Sequence, residues 1–371
     1  MMEICKLSDI AKFTTGKLNS NAAEAGGNYP FFTCSPEPLR INTYAFNTEA
    51  IILAGNNAEG NFHIQYYEGK FNAYQRTYVI ESCDASRVNL RYLYYALKMC
   101  LHHFKQISQG TATKFLTAKI LNGFELPIPT IEKQNKIASL LGNLDKKIES
   151  NEIINKNLLQ QAQSIFAQEF LVLDAIPDGW QESSLLGIAD YLNGLAMQKY
   201  RPRDDEQGLP VLKIKELRQG SCDANSALCS SSIKPEYIVH DGDVIFSWSG
   251  SLLVDFWCGG TCGLNQHLFK VTSSVYDKWF YYAWTSHHLQ KFAAIAADMA
   301  TTMGHIKREE LAKAEVLIPS QFDYDRIGGL LAPLYDLVIA NRIENRNLAS
   351  LRDELLPQLM SGQLDVSEVS L

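Results

Sequence analysis

From Glu132 to Phe170 apolar and small residues recur at alternating spacings of three and four: Ile137, Leu141, Leu144, Ile148, then Asn151 and Asn155, then Leu158, Ala162 and Ile165. That spacing keeps one stripe of a helix facing a partner helix and is the pattern of a coiled-coil seam. The pattern is written a second time 190 residues later (Pro319 minus Pro129, 319 − 129 = 190), at Ile327, Leu331, Leu334, Val338, Asn341, Asn345, Leu348, Arg352 and Leu355. Both asparagine interruptions recur in register. A polar residue in a seam costs stability and fixes register and partner, so the repeat predicts two long helices that pair with each other. Pro333 falls inside the second one and predicts a kink there, or a regular helix that starts near it. Met360-Ser361-Gly362 predicts its end.

Away from the seams the chain reads as short apolar runs between turn residues. In the first half Lys6-Leu7-Ser8-Asp9-Ile10-Ala11, followed by Thr15-Gly16-Lys17, predicts a short helical turn closed by glycine. Strands are predicted at 29–33, 50–53, 62–67 and 77–80, where aromatic and branched residues cluster between Gly, Asn and Pro. An amphipathic helix follows over 90–104, then a polar loop over 108–114, a short helix over 117–122 and a strand ending Leu126-Pro127-Ile128-Pro129. The second half restarts at Ile176-Pro177-Asp178-Gly179-Trp180 and repeats the plan: Ser184 to Ala189 echoes the opening, Asp243 to Phe246 answers Ala50 to Leu53, Trp279 to His288 answers Tyr92 to Leu101, and Ala314 to Pro319 answers the closing strand. The halves diverge most between Gly55 and Gly69 on one side and Ser247 and Gly263 on the other. The predicted class is α+β, with globular domains over 1–130 and 176–319 and long helices over 131–175 and 320–371.

Composition narrows the possibilities. A chain of 371 residues that is 46% hydrophobic and 20% charged suits two ordinary domains plus long helices. No run approaches the roughly 18 to 20 apolar residues of a membrane span, and the start lacks a basic segment followed by an apolar one; a cytoplasmic protein is expected. Eight cysteines are too sparse for a disulfide framework. The spacing of Cys222, Cys229, Cys258 and Cys262 fits no standard zinc site, so reduced, mostly buried thiols and no metal are expected. A formal charge of −7 argues against a protein that grips DNA unaided, since Lys and Arg supply most non-specific affinity. It leaves room for a reader that shares the duplex with basic partners.

Catalytic motifs are missing. Thr15-Gly16-Lys17 lacks the rest of a phosphate loop, and Ser247-Trp248-Ser249-Gly250-Ser251 lacks the first glycine of a nucleophile elbow. With no Pro-Pro dipeptide, the Asn/Asp-Pro-Pro-aromatic signature of amino-group methyltransferases is absent. His102-His103 and His287-His288 are adjacent on helices, about 100 degrees apart, and are expected as surface or cap residues. What remains are polar loops at matched places. Lys70, Asn72, Tyr74, Gln75 and Arg76 precede one strand, and Asn265, Gln266 and His267 precede its counterpart. Asn and Gln read adenine in two-point contacts, and Arg reads guanine. Thr111, Thr113 and Lys114 are matched by Thr301, Thr302, His305 and Lys307, whose hydroxyls and charges suit phosphates.

The run Leu126-Pro127-Ile128-Pro129-Thr130-Ile131-Glu132-Lys133-Gln134-Asn135-Lys136-Ile137-Ala138, with Leu141, Leu144, Asp145 and Ile148 after it, resembles the conserved region of specificity (S) subunits of type I restriction-modification systems. The resemblance covers nearly the whole chain. The second copy departs from it at Ser320-Gln321-Phe322-Asp323-Tyr324, which replaces the Glu-x-Gln turn. The resemblance implies a non-catalytic subunit whose two target-recognition domains each read half of a split, asymmetric double-stranded DNA site. It also implies long helices paired antiparallel with pseudo-twofold symmetry, and two methyltransferase (M) subunits docked on them. Those partners would bind S-adenosylmethionine, and a restriction (R) subunit using ATP and Mg2+ would join where cleavage accompanies modification. Alternatives are the specificity subunit of a type IIB-like or orphan modification system, a coiled-coil scaffold carrying two ligand-binding modules, and a thiol or metal enzyme built on Cys258 and Cys262.

Overall fold

The structure, a computed structural model, describes residues 2–298 and 306–366. Contacts divide the chain into two compact units, 1–146 with 349–371 and 147–348. Each unit therefore holds one domain and one end of each long helix.

In the first unit Glu3–Lys6 pairs antiparallel with Glu125–Ile128, so the ends of the domain meet. The helical turn Leu7–Ile10 follows at once and buries Leu7 and Ile10. A six-stranded sheet comes next, in the order Ala11–Thr15, Thr77–Ser82, Phe46–Ala54, Ile64–Ala73, Tyr29–Phe32, Leu39–Ile41. All neighbours are antiparallel except Tyr29–Phe32 against Ile64–Ala73, which are parallel. The run from Ala50 to Ala54 is buried throughout, as a central strand covered on both faces requires. The helix expected over 90–104 is two helices, Leu90–Met99 and Leu101–Ile107, because Cys100 at φ −88 and ψ −2 interrupts the regular turn. Asn89 caps the first of them, its Oδ1 accepting from the Tyr92 amide at 2.9 Å. Tyr92, Leu93, Tyr95 and Leu97 then share one core with Ile137 and Leu141 of the first long helix (Ile131–Phe166) and with Leu356 and Leu359 of the second (Gln321–Ser361). The two helix segments are antiparallel: Lys133 meets Asp365 at 3.5 Å, and Asp145 meets Arg352 at 2.8 Å.

The second unit repeats this plan. Gln181–Ser184 pairs with Glu315–Ile318, and Leu185–Ile188 makes the helical turn. One four-stranded sheet runs Asp190–Asn193, Leu268–Thr272, Val244–Ser247, Leu253–Phe256; another runs Leu228–Cys229, Leu209–Leu212, Cys262–Leu264, Ile238–Val239. The helix Lys278–Asp298 packs Phe280, Trp284 and Phe292 against Phe166, Phe170, Ile327, Leu331 and Tyr335 of the long helices. Again the long helices are antiparallel. Asn151 Nδ2 donates to Asn345 Oδ1 at 2.8 Å, and Asn341 Nδ2 donates to Asn155 Oδ1 at 2.9 Å. By repeat Asn151 corresponds to Asn341, and antiparallel pairing gives each asparagine the other copy's partner. Along the seams Ile137, Leu141, Asn151, Asn155, Ile327, Leu331, Val338 and Asn341 are buried, and Leu144, Ile148, Leu158, Leu334, Asn345 and Leu348 are half-buried.

The second long helix begins at Gln321 and runs through Pro333 without interruption, which corrects the expectation that its regular part starts near the proline. Proline removes one helical hydrogen bond, and the carbonyl it leaves belongs to Gly329 on the exposed side. Leu331, Tyr335 and Val338, buried on the other side, hold the segment helical. Among the described residues no helix is long and apolar enough to cross a membrane.

Candidate nucleic-acid interface

Each domain presents one tight turn built by the same backbone bonds. In the first, the Thr77 amide donates to Tyr74 O (2.9 Å), the Gln75 amide to Leu18 O (2.9 Å) and the Gly55 amide to Arg76 O (2.8 Å). In the second, the Leu268 amide donates to Asn265 O (3.0 Å) and the Gln266 amide to Leu195 O (2.9 Å). The chain passing beneath must be glycine: a Cβ on Gly16 would lie 1.8 Å from Ala73 O, and one on Gly194 would lie 2.3 Å from Asn265 O. Gln75 and Arg76, and in the second domain His267, are thereby exposed at the turn tips, with Gln266 half-buried.

Some of the expected polar residues gather at the first turn and others lie apart from it. Arg76 stacks over the Phe115 ring at 5.6 Å, and Gln75 Nε2 donates to Asn19 Oδ1 at 2.7 Å. Asn56–Asn57 pairs with Lys114–Phe115, which sets Phe115 under Arg76 and Lys114 opposite Asn57, with the Lys114 side chain beside Gly60 and Lys105. The loop before Lys114 is closed by reciprocal bonds between Gln109 and Phe115 (3.0 and 2.7 Å), with Gly110 at φ +107 in a cradle where a Cβ would strike Thr113 O. Thr111 is exposed; Tyr74, Thr113 and Lys114 are half-buried. Lys105 donates to Asn61 Oδ1 at 2.8 Å. Lys70 is held over the Tyr44 ring at 4.8 Å.

In the second domain Ser249 Oγ lies 3.2 Å from His267 Nδ1, and Gln266 Nε2 lies 3.3 Å from His267 Nε2. An amide nitrogen only donates, so His267 Nε2 accepts and Nδ1 carries the proton toward Ser249. Trp248 donates to Asn193 Oδ1 at 3.1 Å and tilts against the His267 and Phe269 rings. Lys307 is exposed at the start of the short helix Arg308–Ala312. Thr301, Thr302 and His305 lie outside the described residues.

Two expected base readers are placed otherwise. Asn72 is 4% exposed; its amide group lies 3.5 Å from Thr43 O and Oγ1, and its oxygen accepts from the Ala73 amide. Asn265 is 6% exposed and its oxygen accepts from the His267 amide at 3.3 Å. Both side chains brace their turns from within. His288 also departs from expectation: it is buried, stacked on Trp284 and hydrogen-bonded to Glu315 O at 2.8 Å. Burial, with Lys291 nearby, holds its pKa below the ordinary imidazole value. Residues that sequence patterns did not single out are Cys34, Asn56, Asn57, Lys105 and Phe115 in the first domain, and Trp248 and Ser249 in the second. The available signal was the Gly55-Asn56-Asn57 run opening the stretch where the halves diverge. Among the described residues no three His, Cys, Asp or Glu side chains gather as metal ligands; Cys229, Cys258 and Cys262 are buried thiols.

Each unit, taken by itself, repeats one plan: a domain that exposes a polar turn and packs on its own antiparallel segments of the long helices. The profile of the type I restriction modification DNA specificity domain matches residues 1–160 and 177–346, and the chain belongs to that family. The EcoDI specificity subunit of a type I restriction enzyme from Escherichia coli is 37% identical over 147 residues, 40% of this chain and 32% of that protein. The MjaIX specificity subunit from Methanocaldococcus jannaschii is 26% identical over 302 residues, 75% of this chain and 70% of that protein. The crystal structure of a type I restriction-modification S subunit from M. genitalium has the same fold, with a TM-score of 0.64, 14% identity and coverage of 97% and 96% of the two chains.

Proposed function

We propose that this chain reads a split, asymmetric site in double-stranded DNA, one half-site per domain, and docks two methyltransferase subunits on its long helices. The observation that carries this reading is the doubled turn: the same backbone frame lifts Gln75 and Arg76 in one domain and Gln266 and His267 in the other. Donor-rich tips suit base edges in the major groove, while Lys105, Lys114 and Lys307 suit phosphates. The chain performs no bond-breaking step. Its partner subunits bind S-adenosylmethionine and methylate adenine, and a restriction subunit using ATP and Mg2+ joins them in cleavage-competent systems. The net charge of −7 supports such a division, with the partners supplying much of the phosphate grip. The protein works in the cytoplasm.

Co-expression with a cognate methyltransferase subunit in a methylation-free host, read by single-molecule sequencing for N6-methyladenine, tests the proposal. Two specific halves separated by a fixed unspecific gap are expected; a stable complex that methylates without sequence preference would refute it. The helices supply the ruler. Removing one heptad from both shortens them by about 10 Å, or roughly three base pairs, and the unspecific gap should contract by that amount.

A further inference from the structure

Asn56 stands immediately beside the first turn. It begins the two-residue strand Asn56–Asn57, with Phe115 directly opposite, and Phe115 carries the Arg76 guanidinium. The Cys34 thiol donates to Asn56 Oδ1 at 2.9 Å, and the same sulfur lies 3.5 Å from Arg76 O and 3.8 Å from Thr77 Oγ1. One thiol thus ties Asn56 to the turn that lifts Arg76. The amide nitrogen of Asn56 makes no hydrogen bond within the described residues and is not sealed from solvent. With its oxygen turned inward to the thiol, the planar side chain offers its NH2 group to whatever approaches the turn.

We infer that Asn56 is a specificity-determining residue for the first half-site, reading a base acceptor in the major groove as a donor only, and that Cys34 is the positioning residue that holds it so. This rests on the proposed DNA-reading function. An asparagine that reads adenine at two points turns its oxygen and its nitrogen to the base together; here the oxygen is turned to the Cys34 thiol and the NH2 group is the part without a partner among the described residues, so guanine O6 or N7, adenine N7 and thymine O4 are the fitting partners. Beside it Arg76 presents further donors, and the pair complements a run of acceptors such as a guanine edge. The second domain uses the same place for a related purpose. The Leu116 amide donates to Gly55 O, and its counterpart, the Ile306 amide, donates to Trp248 O, both at 2.9 Å. Ser249, the next residue, there orients His267 as Cys34 and Asn56 border Arg76.

The test uses the full chain in complex with its methyltransferase subunit in a methylation-free host, with the methylated motif read by single-molecule sequencing. Asn56→Asp keeps the shape and exchanges the donor for an acceptor. It should lower methylation on the order of tenfold at sites carrying the native base at one position, with the other half-site unchanged. Cys34→Ala should relax preference at that same position by less, and Cys34→Ser, which keeps a donor, should restore it. An unchanged motif for Asn56→Asp, or a loss spread evenly over both half-sites, would overturn the assignment of Asn56. Native preference in Cys34→Ala would overturn the positioning role. Absence of sequence preference in the native complex would instead sink the DNA-reading function.

Discussion

The two domains follow one strand order until Phe256, and there they part. In the first domain Ile64–Ala73 is one ten-residue strand, paired with Phe46–Ala54 on one side and Tyr29–Phe32 on the other. In the second the corresponding strand stops at Phe256 and resumes at Cys262, so one sheet becomes two. The intervening residues are fixed differently. The Trp257 amide donates to Asp243 O (2.8 Å), the Gly242 amide to Trp257 O (2.7 Å) and the Trp257 indole to Gly260 O, with Gly260 at φ +87. Carbonyls released from the ladder become ligands for the second long helix. Arg346 donates to Cys258 O (2.7 Å) and grips Asp241 with both nitrogens (2.7 and 2.8 Å); Arg342 donates to Phe256 O (3.2 Å) and pairs with Asp255 (2.7 Å). Bonding to Arg346 holds the Asp241 carboxyl below its usual pKa. A broken strand is thus stabilised by charge-assisted bonds where the unbroken one relies on its ladder.

A second difference lies where each domain's core helix begins. In the first unit Gln134, fully buried, accepts from the Asn89 amide (2.9 Å) and donates to Arg87 O (3.0 Å) and Pro129 O (2.8 Å). The position corresponding by repeat is Tyr324, whose hydroxyl accepts from the Asp277 amide (2.7 Å) while its ring packs on Trp279 and Phe280. The replaced Glu-x-Gln turn therefore keeps its task, holding the residue before a helix, by different chemistry.

The largest effect that separates the units should come from Gln134→Ala. It strands the amide of half-buried Asn89 and the carbonyls of Arg87 and Pro129, the last one buried, and should cost about 3 kcal/mol, seen in far-UV circular dichroism as early melting of the first unit. All five tryptophans, Trp180, Trp248, Trp257, Trp279 and Trp284, lie in the second unit, so their fluorescence should melt at the native temperature. Simultaneous loss of both signals would break the comparison. Arg342→Ala should do the reverse. Its pair is about a quarter exposed (27% and 26%), so the cost is set below that of a fully buried ion pair, at about 2 kcal/mol, and tryptophan fluorescence should report it. Tyr324→Phe, which removes the bond accepted from the Asp277 amide and the longer one donated to Asp277 Oδ2 (3.3 Å) and keeps the ring, should cost about 1 kcal/mol. A loss as large as that of Gln134→Ala would mean that the hydroxyl, and not the aromatic packing, holds the second junction.

The smallest effect is a pH dependence confined to the second unit. His288 has its pKa depressed by burial, so the unfolded chain binds the proton more readily. Its contribution to stability is complete above the ordinary value of 6.5 and is lost as pH falls through it. Tryptophan-reported melting should therefore fall on mild acidification before the carboxylates titrate. His287, whose pKa burial also lowers, shares this dependence, so His288→Gln, which can still donate to Glu315 O, should reduce it; an equal slope in the variant would assign it elsewhere.

Much of this was legible in the residues because it is local. The three-and-four spacing of the seams, the 190-residue repeat and the strand runs between turn residues depend on periods and on nearby backbone preferences. The turn tips at Gln75, Arg76 and His267 were visible for the same reason. The regular helix does not start near Pro333, one of the two outcomes its sequence allowed, because the proline's local penalty is outweighed by the buried face formed by Leu331, Tyr335 and Val338. Which asparagine meets which, that Asn72 and Asn265 turn inward, that a strand breaks at Trp257 and that a thiol at Cys34 sets the amide of Asn56 were decided by tertiary structure. Each depends on groups far apart in the chain or on which side of a turn is buried, and such contacts follow from the path of the whole backbone, which no local pattern of residue types encodes.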